Sequence, residues 1–256
     1  MTGDRGTPAF TARGYRVALN ALSERDVHRA LDVIAAAGSA LGREPFGIEI
    51  VDALVDAIPA DTAAYVEWRI GQPDELRVSR HELSACVLDA VTATCTSYPL
   101  RDLDHASCTT PLKITDVVSR LAFRRSAFYA AAMRPRGLEH QIKVWLPAPR
   151  PEARYFEFER APGRDFDERD RAFLSLLRPH IAKLRARWER KALVTSLTER
   201  ELDVLKLVAQ GLTNRQVARR LFISPATVRT HLEHTYEKLG VTTRTAAVTA
   251  AFRIAS

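Results

Sequence analysis

Cysteine is scarce: Cys86, Cys95 and Cys108 are the only three among 256 residues. The odd count and the lack of any C-x-x-C argue against a disulfide framework or a thiol zinc site, and favour free thiols in a reducing compartment. Long apolar runs are missing. The most apolar stretch, residues 30–41, contains Asp32 and is far too short to span a bilayer. Residues 1–14 are polar, with Asp4, Arg5 and Arg13, and lack the apolar segment of a secretory signal. A cytoplasmic protein without membrane contact is expected. Catalytic motifs are absent too: there is no G-x-S-x-G, H-E-x-x-H, G-x-G-x-x-G or G-x-x-x-x-G-K-[ST]. His231 and His234 stand three apart without further ligands. Neither an enzyme, a cofactor nor a metal is expected.

What remains is an ordinary globular composition, 46% apolar and 27% charged, with a net charge of +7. That balance suits a polyanionic partner such as nucleic acid. Residues 1–22 read as a flexible lead-in. Ser23 can cap a helix whose Val27, Ala30, Leu31, Ile34 and Ala35 share one face. A second helix is expected over 46–58. Tyr65, Val66, Trp68 and Ile70 indicate a strand closed by the turn 71–74. Helical stretches are expected over 82–96 and 115–133. A hairpin follows: Ile142, Val144 and Leu146 share a face of one strand, Phe156 and Phe158 a face of the next. This order gives an α+β domain with a small antiparallel sheet. A long helix then starts near Asp167, with Pro179 inside it expected to kink it or remove one backbone bond, and with Phe173, Leu177, Ile181, Leu184 and Trp188 in a heptad-like stripe suited to passing a signal onward. Residues 23–190 are taken as this domain, 191–196 as a linker, and 197–256 as a second domain.

In the second domain the local signals agree. Thr198 with Glu201, and Thr213 with Gln216, have capping-box spacing. Gly211 can close the first helix in a left-handed conformation. Ser224 caps a third helix with Pro225 in its first position, and Gly240 ends it. A fourth helix follows Thr243. Two short helices joined by the turn 222–224 have helix-turn-helix geometry. At 100° per residue, Val228, Leu232, Thr235, Tyr236 and Leu239 of the third helix fall inward, while Ala226, Arg229, Thr230, Glu233 and Glu237 face out. Arg229 can contact guanine, Thr230 a thymine methyl or a polar base edge, and Glu233 a cytosine amine. Thr213, Asn214, Thr227, His231 and Lys238 are placed to hold phosphates.

The runs 197–201, 211–214, 217–218, 223–231 and 238–241 (LTERE, GLTN, VA, ISPATVRTH, KLGV) resemble the LuxR-type DNA-binding domain. The resemblance implies an all-α four-helix domain that binds double-stranded DNA as a homodimer. Its base-contact positions fall on Arg229, Thr230 and Glu233, and its fourth helix, through Arg244, Ala247, Val248 and Ala251, supplies a dimer contact. Ala226 stands where lysine is frequent and Glu233 where a basic or amide residue is common, which leaves the target sequence open. The segments 164–171 and 176–180, with the element order, resemble the exit helix of GAF- or PAS-like sensory domains. Such a domain would sense a signal or mediate dimerisation. Tyr65, Trp68, Tyr129 and Trp145 are candidates to line its pocket, or else plain core. Tyr65, Trp68 and Asp74 do not have the spacing found in acyl-homoserine lactone sensors. The expected function is a sequence-specific transcriptional regulator, with RNA polymerase and a small-molecule effector as candidate partners. The alternative is an antagonist that forms heterodimers with a related regulator and needs no DNA contacts.

Overall fold

The computed structural model describes residues 21–39, 46–69, 76–79, 85–101, 108–149 and 152–252. Two compact units emerge, Met1–Leu184 and Arg185–Ser256. Residues 1–20 of the lead-in expected over 1–22, and the turn over 71–74, lie outside the described residues.

In the first unit, helices α1 (Glu24–Ser39) and α2 (Ile48–Ala57) precede strands β1 (Thr62–Arg69) and β2 (Leu76–Ser79). Helix α3 (Ala85–Thr94), the short strand β3 (Leu112–Lys113), helix α4 (Arg120–Arg124), strands β4 (His140–Leu146) and β5 (Glu152–Arg160) and the long helix α5 (Glu168–Thr195) follow, the unit boundary falling within α5 after Leu184. The strands form one antiparallel sheet in the order β2-β1-β5-β4-β3. The registers Tyr65↔Phe156 and Val144↔Phe156 put the central strands in phase. Side chains alternate across a pleated strand, so each residue type goes to a fixed face. Ala63, Tyr65, Ile142, Val144, Leu146, Phe156 and Phe158 pack with α1, α2 and α5 in one core. Trp145 and Tyr155 project to the other face and meet Leu100, Ile114, Phe123, Phe128, Tyr129 and Met133. The sheet is therefore covered on both sides, and the domain is α+β as expected.

Three expectations change. The mainly helical stretch expected over 115–133 is present but split into pieces: Ser119 caps a short helix by accepting from the Ala122 amide at 3.2 Å, and a π turn spans Tyr129–Met133. β2 and β3 were not foreseen; β3 has only two ladder positions, Leu112↔Lys143 and Lys113↔Ile142, too short to leave a period. Lastly, Phe173, Leu177 and Ile181 are buried in the sheet's own core and Leu184 packs against it. The heptad-like stripe is thus spent, over its first members, inside the domain. α5 passes through Pro179 without a break.

Charge fixes α1 to α5. Asp26 exchanges hydrogen bonds with Ser23 at the start of α1 and pairs with Arg169, whose guanidinium also donates to the Ala57 carbonyl at 3.2 Å. The bond from Arg169 holds the Asp26 carboxyl down at about 2 against the cost of burial. A folded-state value below that of the unfolded chain gives stability that is full above about pH 4 and is lost as pH falls towards 2, about 2 kcal/mol in all. Acid unfolding of the wild type should show this loss. Asp26→Asn should be less stable at pH 6 by a similar amount, with a flatter profile between pH 4 and 2.

Candidate nucleic-acid interface

The second unit is built from local capping. Helix α6 (Glu199–Ala209) starts with Thr198 Oγ1 accepting from the Glu201 amide at 3.2 Å, while Glu201 Oε2 accepts from the Thr198 amide at 2.8 Å. Helix α7 (Asn214–Leu221) repeats the device with Thr213 and Gln216. Gly211 is left-handed at φ 84°, as foreseen. In helix α8 (Pro225–Leu239) Ser224 Oγ accepts from the Thr227 amide at 3.0 Å, and Gly240 closes the helix at φ 62°. Helix α9 (Arg244–Phe252) completes the domain. Val204, Leu205, Val208, Val217, Ala218, Val228, Leu232 and Leu239 are its core.

The turn between α7 and α8 holds a surprise. Phe222 has φ 55° and ψ 46° and is 95% exposed. A left-handed conformation strains an L side chain by about 1–2 kcal/mol, and no buried area here offsets it. Phe222→Gly should therefore stabilise the domain by about 0.5–1 kcal/mol after the greater unfolded-state freedom of glycine is counted, and raise the midpoint of urea unfolding accordingly. An unchanged or lower midpoint would contradict the strain.

α8 divides as its sequence indicates. Val228, Leu232, Thr235 and Leu239 are buried, and Ala226, Arg229, Thr230, Glu233 and Glu237 are exposed. The outward face is short-chained at its start and carries one cation, Arg229, which pairs with Glu233 at 3.0 Å. Thr227 is exposed and His231 half-buried on the flank. Thr213 lies exposed at the start of α7, beside Asn214. The same helix turns Arg215, Arg219 and Arg220 outward, three cations that the sequence reading passed over although basic residues on the outer face of a first helix were there to be seen. Residues 197–256 hold nine Lys and Arg against five Asp and Glu, a net charge of +4.

Other expected site residues find different surroundings. Lys238 is engaged within the domain: its Nζ lies 2.7 Å and 3.0 Å from the two carboxylate oxygens of buried Glu201. Burial would raise the Glu201 carboxyl, but hydrogen bonds from Lys238 and Thr198 hold it below its ordinary value. Asn214 Oδ1 accepts from Arg244 at 3.0 Å, and Arg244 also donates to the Leu212 carbonyl, so the start of α9 is tied to the start of α7. Ala247 has no surface for a dimer contact, since it is wholly buried in the domain core with Val248 and Ala251 packed against it. The spacing of these three marks the inner face of α9. Nor do the four aromatic pocket candidates form one site. Tyr65 meets Phe46 edge-to-face and Phe156 at a tilt on one face of the sheet, whereas Trp145 and Tyr129 lie in the cluster on the other. The Trp68 side chain lies outside the described residues. Among the described residues no cluster of His, Cys, Asp or Glu could hold a metal ion, and no helix is long and apolar enough to cross a membrane.

Four helices, with the second and third joined by a tight capped turn, define a helix-turn-helix domain. Residues 195–251 match the family described as bacterial regulatory proteins, luxR family. The C-terminal segment thus holds a helix-turn-helix domain of the luxR-family type. Among known proteins, the chain is similar to the HTH-type transcriptional regulator Mb0914c of Mycobacterium bovis, 39% identical over 130 residues that make up 48% of this chain and 14% of that one. It is also similar to the nitrate/nitrite response regulator protein NarL of Escherichia coli, 49% identical over 51 residues, 20% of this chain and 24% of that one. The chain spans well under two thirds of the length of these relatives. Among solved structures, the VqsR LBD domain from Pseudomonas aeruginosa overlaps 63% of this chain and 97% of its own at a TM-score of 0.49 and 18% identity. Escherichia coli SdiA overlaps 83% and 92% at a TM-score of 0.42 and 17% identity. Neither likeness bears on what this chain binds.

Proposed function

We propose that the protein is a cytoplasmic, dimeric transcriptional regulator that reads double-stranded DNA with α8, and that its α+β domain, GAF- or PAS-like, senses a signal or mediates dimerisation. The observation that carries this reading is the bare outward face of α8. A helix that enters the major groove needs little bulk and at least one donor at the base edges, and Ala226, Thr230 and Arg229 meet that need. Arg229 takes the guanine contact and Thr230 the neighbouring base edge. Thr213, Asn214, Thr227 and His231 hold phosphates, with the exposed Arg215, Arg219 and Arg220 adding to the electrostatic footprint.

The test is equilibrium binding of the full-length protein to a duplex selected from a random-sequence pool, against an unselected duplex, across a range of salt. Binding to the selected duplex should be at least about a thousandfold tighter. Affinity for both should fall by about a thousandfold between 50 and 200 mM salt if some six phosphates are engaged. Failure to select any sequence would favour an antagonist that acts by protein contacts alone.

A further inference from the structure

The ion pair on the outward face of α8 joins Nε of Arg229 to Oε1 of Glu233 at 3.0 Å. Both side chains are more than half exposed. A simple reading is that the pair steadies the helix. The order of the charges makes this a weak role, because an acid four residues after a base is the less favourable arrangement along a helix. α8 is also already secured by the Ser224 cap, by Pro225 in its first turn and by four buried side chains.

The chemistry of the guanidinium gives the pair another use. Arginine has five N–H donors in a rigid planar fork. With Nε–H committed to Glu233, the Nη1 and Nη2 edge remains, and that edge makes the end-on bidentate contact to guanine O6 and N7. We propose that Glu233 is a positioning residue: it orders the Arg229 fork for a guanine and contacts no base itself. This rests on the reading of α8 as the DNA-binding helix. It also replaces the expectation that Glu233 accepts from cytosine. A carboxylate beside DNA weakens binding to every sequence. Glu233 therefore gives up general affinity in exchange for discrimination at one base pair.

The experiment takes the duplex selected by the full-length wild type and all its single-base-pair variants. Dissociation constants are measured for wild type, Arg229→Ala, Glu233→Ala and Glu233→Gln. The preference that Arg229→Ala abolishes marks the base pair read by Arg229. At that base pair Glu233→Ala should reduce the preference by about threefold or more, the cost of ordering a free long side chain. Glu233→Gln keeps an acceptor and drops the charge. It should keep most of that preference while binding unselected duplex as tightly as the alanine variant, and both should bind it more tightly than wild type. The proposal is overturned if Glu233→Ala leaves the preference at that base pair intact, or erases one at a different base pair, since the carboxylate would then be reading its own base. A wild type that selects no sequence overturns the DNA-binding reading as well, so the two failures are distinguishable.

Discussion

Lys238→Ala is expected to destabilise the C-terminal domain by about 2–3 kcal/mol and to affect DNA affinity mainly through that loss. Glu201 caps α6 and is almost wholly buried, with a side chain only 4% exposed, and Lys238 is its counter-ion from α8. Removing one partner of a buried pair leaves an uncompensated charge, a cost of about 3–5 kcal/mol that the partial exposure of Lys238 reduces. The sign of the pH effect follows from the Glu201 carboxyl. It is held below its ordinary value in the folded chain, so the pair stabilises at neutral pH and the stabilisation is lost as pH falls through the folded-state value. The gap between wild type and Lys238→Ala should accordingly narrow in acid. Hydrogen exchange of α6 and α8 amides in the full-length protein reads this directly. Unchanged protection together with a uniform loss of DNA affinity would instead make Lys238 a phosphate ligand.

Arg229→Ala is expected to weaken binding to the selected duplex by about 1–3 kcal/mol, roughly 5- to 150-fold, and to leave the fold unaltered. The side chain is 77% exposed and, among the described residues, its bond is to Glu233, so no core contact is lost. On unselected duplex the effect should be far smaller. The alanine variant discards one cation, but it also frees the Glu233 carboxylate to repel phosphate, so a modest loss is predicted there rather than none. Equal losses on the two duplexes would reduce Arg229 to a backbone contact.

How much of this was legible from the residues depended on distance along the chain. Thr198 and Glu201, Thr213 and Gln216, and Ser224 and Pro225 each act within one helical turn, and the structure builds the caps their spacing implied. The inward and outward faces of α8 follow from a 3.6-residue period and were equally readable. The Lys238–Glu201 pair joins residues 37 apart on different helices, and no pattern in the sequence announces it. Ala247 was misjudged for a related reason: periodicity identifies a face of α9 without saying whether it meets the domain's own core or a partner. In the α+β domain the alternation along β4 and β5 was visible, but the division of Tyr65 from Trp145 and Tyr129 depends on which strands pair and which helices cover each side. The left-handed Phe222 had no local signal, since glycine or asparagine is what that conformation favours.

The placement of α8 in the major groove is open to a direct chemical probe. Guanine N7 lies on the floor of that groove and is blocked by methylation. When the selected duplex is sparsely methylated at guanine N7 and offered to full-length protein, the bound fraction should be depleted of methylation at two symmetric guanines about one helical turn apart, and Arg229→Ala should be indifferent to both. Uniform recovery of every methylated guanine in the bound fraction would contradict the account.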